Sequence, residues 1–205
     1  MEGAAEMTVL QYLHHVDQSV TLAVNSLSSP FTDRIWMFFS DIPVWIPLYV
    51  IVAFFLFRNL GWKMGLTMLL ACALTFAACD QCSNLVKDAV ERLRPCWDRN
   101  MVDGGLRILE DKGGMYGFFS AHAANAIGFA WCSVKGFAHD RKRSYRVYGT
   151  AIIIWAILVG LSRVFVGKHF LGDVFAGYIV GLIFASLSAK IAALVVKRFG
   201  LDPSL

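Results

Sequence analysis

The fold is decided by the stretch Ser162-Arg163-Val164-Phe165-Val166-Gly167-Lys168-His169-Phe170-Leu171-Gly172-Asp173, which lies between two long apolar runs. Its ionisable residues are costly at membrane depth and are usually retained there for function. His169 and Asp173 are four residues apart, so they share one face if the segment is helical. A carboxylate beside a histidine fixes the tautomer and orientation of the ring, which prepares the imidazole for nucleophilic or acid–base work.

The composition around this stretch indicates a membrane protein. Hydrophobic residues make up 57% of the 205-residue chain and charged residues only 17%, and the mean hydropathy is +0.57. The length predicts a single domain over residues 1–205. The net charge of +4 is explained by membrane topology. No arginine–aromatic stripe suited to stacking bases is present, so we expect no nucleic-acid partner.

Five apolar runs are candidates for membrane spans. They cover residues 42–57, 64–79, 116–134, 147–162 and 174–189. A helix needs about 20 residues to cross the hydrocarbon core, and each of these shorter cores extends into flanking helix. We therefore predict an all-α integral membrane protein, a bundle of five transmembrane helices, or six if residues 7–40 contribute a further span.

The N-terminal segment, residues 7–28, has a weak helical periodicity of apolar residues. The residues that recur at this spacing are Leu10, Leu13, Val20, Val24 and Leu27. Interspersed polar residues make the segment too polar for a comfortable span, so we predict an amphipathic helix that lies in the membrane interface. A break at 28–30 and a short helix over 31–40 follow.

Basic residues set the expected orientation. The linker 135–146 carries five lysines and arginines against one acid, so its side of the membrane should be cytoplasmic. Alternation of the spans then places residues 87–118 and 162–173 on the outer face. We expect an active site that faces the periplasm or the outside of a bacterial inner membrane.

Residues 87–95 form the first charged segment on that face. Lys87 and Arg94 are seven residues apart, or two helical turns, and therefore point the same way. Pro95 then ends or kinks the helix. Two cations on one face form a clamp for a multiply charged anion, and arginine suits bidentate contact with phosphate.

The second segment, residues 119–122, begins the third apolar run. Ser120 and the backbone N–H of Ala121 would stand at a helix N-terminus, where free N–H groups and the helix dipole favour phosphate. His122 is placed to act as an acid. Arg163, from the opening stretch, would add a third cation.

Each of these segments also has a plain structural interpretation when it is taken alone. The cations could be interfacial anchors, and the serine and histidine an ordinary helix cap. The His-x-x-x-Asp pair could in principle bind a metal, but no Cys/His cluster or second close carboxylate accompanies it. Three cations, two histidines and an aspartate on one face favour an anion site over a metal site.

The three segments together resemble the signature of the type 2 phosphatidic acid phosphatase superfamily, which also contains bacterial acid phosphatases and vanadium haloperoxidases. Residues 87–95 match the K-x6-R-P motif in full, and residues 162–173 match S-R-x5-H-x3-D in full. The second motif, usually P-S-G-H, departs from the pattern, because Phe119 replaces the proline and Ala121 the glycine. Alanine retains the backbone N–H that the motif supplies to phosphate.

The resemblance implies a metal-independent phosphatase that needs no cofactor. His169 would be the nucleophile that forms a phosphohistidine, and Asp173 would orient it. His122 would protonate the leaving oxygen and later activate water. The residues that would hold the phosphoryl oxygens are Lys87, Arg94, Ser120, Ala121 and Arg163.

A membrane lipid phosphate is the expected substrate, because a site at the membrane boundary admits a head group while the tail stays in the bilayer. Undecaprenyl diphosphate is the leading candidate, and lipid A, phosphatidylglycerol phosphate and phosphatidic acid remain open, as does the oligomeric state. The long loop 96–118 could contact head groups or be a solvated connector. A non-catalytic lipid-phosphate binder is the remote alternative, but it would need neither histidine.

Overall fold

The computed structural model describes residues 8–201, and the ends of the chain, 1–7 and 202–205, lie outside the described residues. The described chain is built from helices joined by turns and loops. They are α1 (Val9–Asn25), α2 (Pro30–Ser40), α3 (Ile46–Val90), α4 (Arg99–Asp103), α5 (Ala121–Phe137), α6 (Arg146–Phe165) and α7 (Leu171–Phe199). The all-α architecture predicted from the sequence is confirmed.

Helix α1 is amphipathic, as predicted, and its polar face is turned towards the protein. Thr8 caps the helix by accepting a hydrogen bond from the backbone of Gln11. Thr21 and Asn25 are buried, whereas Leu10 is 79% and Leu27 74% exposed. A helix with an apolar outer face of this kind suits the membrane interface.

Helix α3 consists of two spans in sequence rather than one. Gly61 breaks the helix with φ 75° and ψ 168°, and a Cβ placed on Gly65 would lie 2.9 Å from the Cα of Phe57. Residues eight apart in a continuous helix are about 12 Å apart along the axis, so the chain doubles back here. The first two apolar runs are therefore separate spans joined by a turn at Gly61.

Within residues 8–201, three continuous segments are long and apolar enough to cross a membrane, namely Ile42–Val90, Arg146–Phe165 and Leu171–Phe199. Helix α5 has 17 residues and packs against α3, α6 and α7, with most of its side chains buried. Glycines allow this close approach, since a Cβ on Gly181 would lie 2.2 Å from the carbonyl oxygen of Ala124. The core of the bundle is thus formed around α5.

The start of the third apolar run differs from the prediction. Residues 116–120 are not helical, and α5 begins only at Ala121. The N–H of Gly117 donates to the carbonyl of Arg92 at 2.8 Å, and the N–H of Ser120 donates to the carbonyl of Asp173 at 3.0 Å. These long-range hydrogen bonds hold the non-helical segment across the end of the bundle, where it links the residues after α3 to α7.

Candidate active site

Four helix ends meet at one end of the bundle, namely the C-terminal ends of α3 and α6 and the N-terminal ends of α5 and α7. A cavity of about 640 Å³ opens there. Its wall contains Arg94 from the first charged segment, His122 from the second, and Arg163 and Lys168 from the third. The charged segments that the sequence placed on one face are therefore neighbours in the fold.

His169 lies behind this cavity, in the turn between α6 and α7. Its side chain is 3% exposed, and Nδ1 lies 3.5 Å from Oδ2 of Asp173, slightly beyond hydrogen-bond distance. The backbone N–H of His169 donates to the carbonyl of Arg163 at 3.1 Å. With Nδ1 turned towards the carboxylate, the ring is oriented to present Nε2 for chemistry.

Burial keeps the pKa of the His169 imidazole well below its usual range. The positive charges of Arg163, Arg94 and Lys87 act in the same direction. The ring is therefore neutral at physiological pH, which leaves a lone pair on the nitrogen that the carboxylate does not face.

Asp173 is fully buried in the first turn of α7. Its Oδ2 accepts a hydrogen bond from the N–H of Phe170 at 3.0 Å, and its Oδ1 accepts one from Arg92 at 2.6 Å. A buried carboxylate is stable only when such donors compensate its charge. The side chain is consequently held in one orientation beside His169.

The residues of the second motif form the start of α5. Ser120 is buried and caps the helix, with Oγ accepting a long hydrogen bond of 3.4 Å from the N–H of Ala123. Ala121 is the first residue of the helix, where a backbone N–H has no acceptor within the helix. His122 follows on the cavity side. The last turn of α3 carries Lys87, which is partly buried.

Arg163 is 5% exposed, and its guanidinium is paired with Glu110, an acidic residue of the long loop. Its Nη1 donates to both carboxylate oxygens of Glu110, at 3.2 and 3.3 Å. Ser40, at the end of α2, hydrogen-bonds to both Arg163 and Glu110. A glutamate from the long loop therefore lies in the cavity, against one of its cations.

Lys168 adds a cation that the sequence did not single out as a ligand. It is 5% exposed, lines the cavity, and donates from Nζ to the carbonyl of Asp111. Burial lowers the pKa of this amine. The signal for it lay in the opening stretch itself, since Lys168 directly precedes His169.

Arg92 is the second residue that the sequence did not single out, although it lies within the first motif. Its guanidinium bridges Oδ1 of Asp173, at 2.6 Å, and Oδ2 of Asp17 in α1, at 2.7 Å. It also lies 4.2 Å above the ring of Phe170. The link to α1 spans 75 residues, so no local pattern could have revealed it.

Helix α2 and the turn after it form one wall of the cavity. Its apolar lining residues are Met37, Phe38, Ile42 and Pro43, and the same wall carries the polar residues Arg34, Ser40 and Asp41. Phe38 and Ile42 are about half exposed. The cationic cradle therefore has an apolar patch in one of its walls.

Comparison with known proteins gives a consistent family. The sequence model of the PAP2 superfamily matches residues 60–196. The lipid A 4'-phosphatase of Bacteroides thetaiotaomicron is 33% identical over 84% of this chain and 75% of its own length. Phosphatidylglycerophosphatase B of Bacillus subtilis is 34% identical over 67% of this chain and 63% of its own length.

A solved structure supports the fold. The transmembrane PAP2-type phosphatidylglycerolphosphate phosphatase of Bacillus subtilis superimposes with a TM-score of 0.69 and 22% identity, over 90% of this chain and 88% of the other. The family match covers all three charged segments that meet at the cavity. The chain belongs to the PAP2 superfamily and is an integral-membrane lipid phosphatase.

Proposed function

We propose that this chain removes a phosphate monoester from a membrane glycolipid of the lipid A type, through a phosphohistidine at His169. The observation that carries the proposal is a neutral, buried imidazole held beside Asp173, next to a cavity walled by Arg94, Arg163 and Lys168. Such a constellation pairs a free nucleophile with stabilisation of the charge that develops on phosphorus oxygens.

In the first step Nε2 of His169 attacks phosphorus and the bond to the lipid oxygen breaks. His122, in the cavity wall, gives its proton to that leaving oxygen. Lys87, Arg94 and Arg163 hold the phosphoryl oxygens as their charge spreads in the transition state. The N-terminus of α5, with Ser120 and the N–H of Ala121, supplies further donors.

In the second step water attacks the phosphohistidine. His122, now neutral, accepts the proton of this water, and the P–N bond breaks to release inorganic phosphate and regenerate His169. Asp173 stabilises the imidazole in the same tautomer throughout, because its own oxygens are fixed by Arg92 and Phe170. The cycle is balanced without a metal or a cofactor.

The choice of a glycolipid rests on two supports. The relative from Bacteroides thetaiotaomicron, named as a lipid A 4'-phosphatase, aligns along most of this chain. The apolar patch formed by Met37, Phe38 and Ile42 lies in the cavity wall beside the cradle, which suits a head group whose acyl chains remain in the bilayer.

Undecaprenyl diphosphate remains a second candidate. Lys168 adds to the cavity a cation that none of the three motifs specifies. An additional positive charge favours a diphosphate over a monoester. If this is correct, Lys168→Gln should raise the KM for the diphosphate several-fold more than the KM for a monoester.

The basic residues at the opposite end of the bundle support an outward-facing site. Lys135 lies in the last turn of α5, and Arg146 begins α6 at that end. We therefore place the catalytic cavity on the periplasmic or outer face of a bacterial inner membrane, in a chain that acts as a single domain.

A substrate panel with purified full-length protein tests the proposal. Phosphate release is measured in mixed micelles of lipid A, phosphatidylglycerol phosphate, phosphatidic acid or undecaprenyl diphosphate. We expect the highest kcat/KM for lipid A, no turnover by His169→Ala, and parental turnover by His139→Ala, a matched change at the other end of the bundle. Parental turnover by His169→Ala would refute the nucleophile, and a higher kcat/KM for another lipid would refute the substrate.

A further inference from the structure

Arg92, which follows the end of α3, contacts both α1 and α7 behind His169. Its Nη1 donates to Asp173 at 2.6 Å and its Nη2 to Asp17 at 2.7 Å. Nη2 also lies 3.2 Å from Nδ1 of His14. The guanidinium therefore uses two sides of its planar fork to hold two carboxylates from different helices.

The contact with Asp173 fixes the direction in which that carboxylate points. Asp173 is fully buried, and Arg92 is its guanidinium partner. With Oδ1 bound to Arg92 and Oδ2 bound to the N–H of Phe170, the plane of the carboxylate is set. Oδ2 is the oxygen that faces Nδ1 of His169. Without Arg92, the buried charge would lose its strongest donor, and the carboxylate would be free to turn or take up a proton.

The contact with Asp17 holds Arg92 in turn. Asp17 also accepts a hydrogen bond from the N–H of Gly172 at 2.9 Å, which is one of the N–H groups left without an acceptor at the start of α7. The packing is close, because a Cβ on Gly172 would lie 2.6 Å from Oδ2 of Asp17. Helix α1 is thereby bound to the segment that carries both His169 and Asp173.

We propose that Arg92, held by Asp17 of α1, is a positioning residue that fixes Asp173 against His169 and so sets the rate of attack on phosphorus. The proposal rests on the assignment of His169 as the nucleophile. It makes α1 part of the catalytic apparatus, although no residue of α1 lines the catalytic cavity.

Removing a purely structural ion pair and removing a positioning residue should alter different kinetic and stability measurements. Arg92 does not line the cavity, so its loss should leave the binding of phosphate largely intact. Misplacing a reacting group by about 1 Å lowers the rate by about 10²-fold. The expected signature is therefore a loss in kcat with little change in KM, and a structural ion pair would lower stability without that split.

The experiment compares Arg92→Gln, Arg92→Lys and Asp17→Asn with the parent, using lipid A in mixed micelles. We expect kcat to fall about 10²-fold for Arg92→Gln and about tenfold for Asp17→Asn, with KM within about twofold of the parent. Arg92→Lys should recover part of the loss because it keeps the charge. The rate of phosphohistidine formation after acid quench should fall in parallel with kcat.

Arg107→Gln is the matched control. Arg107 forms an ion pair with Asp33 that also joins a loop to an N-terminal helix, and its side chain does not line the cavity. We expect its kcat to match that of the parent. The proposal is overturned if Asp17→Asn and Arg92→Lys, checked as folded by thermal unfolding, lose no more activity than this control, or if the loss appears in KM.

Failure of the inference can be distinguished from failure of the proposed function. If the parent releases no phosphate from any lipid of the panel, the function is wrong. If the parent is active and His169→Ala is inactive, but the variants of Arg92 and Asp17 behave like the control, only the positioning role is wrong.

Discussion

Replacing Glu110 by glutamine should tighten the binding of phosphate. In the structure the carboxylate of Glu110 pairs with Arg163 at 3.2 Å inside the cavity, and Ser40 hydrogen-bonds to both. A phosphoryl group that binds Arg163 must compete with this carboxylate for the same guanidinium, or bind beside a like charge. Glu110→Gln removes the charge and keeps the shape of the side chain.

The size of the effect follows from the exposure of the pair. A hydrogen bond between charged groups contributes about 1.5–3 kcal/mol. The Glu110 side chain is 28% exposed, so solvent screens part of this energy and the lower end applies. A change of about 1.4 kcal/mol is a factor of ten in affinity. We therefore expect roughly a tenfold lower inhibition constant for inorganic phosphate.

The assay is product inhibition of lipid hydrolysis by inorganic phosphate, with the parent, Glu110→Gln and Asp111→Asn. Asp111 is the matched control, because it follows Glu110 in the loop, its side chain is exposed, and its contact with Lys168 is made by the backbone carbonyl. The control should keep the parental inhibition constant. If Glu110→Gln weakens the inhibition or leaves it equal to the control, Glu110 supports Arg163 rather than competing with phosphate.

Three further predictions concern pH, metal and stability. Burial and neighbouring cations lower the pKa of His169, so the imidazole stays neutral when the solution is made moderately acidic. The pH at which kcat/KM drops to half on the acid side should therefore lie below 6.5, and a half-loss at or above pH 6.5 would contradict the assignment of His169 as the nucleophile. Turnover should be unchanged in excess chelator, and dependence on an added divalent metal would contradict the metal-free cycle. Asn25 is 1% exposed and hydrogen-bonds to Arg107, Val164 and Phe165. Asn25→Ala should therefore lower the free energy of unfolding by about 2 kcal/mol and the thermal unfolding midpoint by roughly 5 °C. An unchanged midpoint would refute this anchoring role.

Local periodicity accounts for what the sequence predicted well. The alternation of apolar runs predicted that the three charged segments meet at one end of the bundle. The two-turn spacing of Lys87 and Arg94 does not explain their position, because α3 ends at Val90 and Arg94 follows it in extended backbone. The gap between the first two apolar runs contains Gly61, a residue that favours a turn, and the structure has a positive φ there. These features depend on residues close in sequence, which is why they could be predicted.

Long-range contacts account for what the sequence did not show. Arg92 and Glu110 acquire their partners from segments more than 50 residues away, and neither has a local pattern that separates it from an ordinary surface charge. The predicted third span started too early, because residues 116–120 are mostly apolar but are held in a non-helical conformation by backbone hydrogen bonds to Arg92 and Asp173. Hydropathy alone cannot distinguish a buried non-helical segment from the start of a helix.

The polar face of α1 is explained by the unpaired backbone groups that it meets near the membrane boundary. The turn from α6 to α7 leaves carbonyl groups at the end of one helix and N–H groups at the start of the next, and hydrocarbon offers no water to satisfy them. Asn25 donates to the carbonyls of Val164 and Phe165, and Thr21 accepts from the N–H of Leu171. A helix with a polar inner face and an apolar outer face suits this position, because it satisfies the backbone of the α6–α7 turn on one side and can meet lipid on the other.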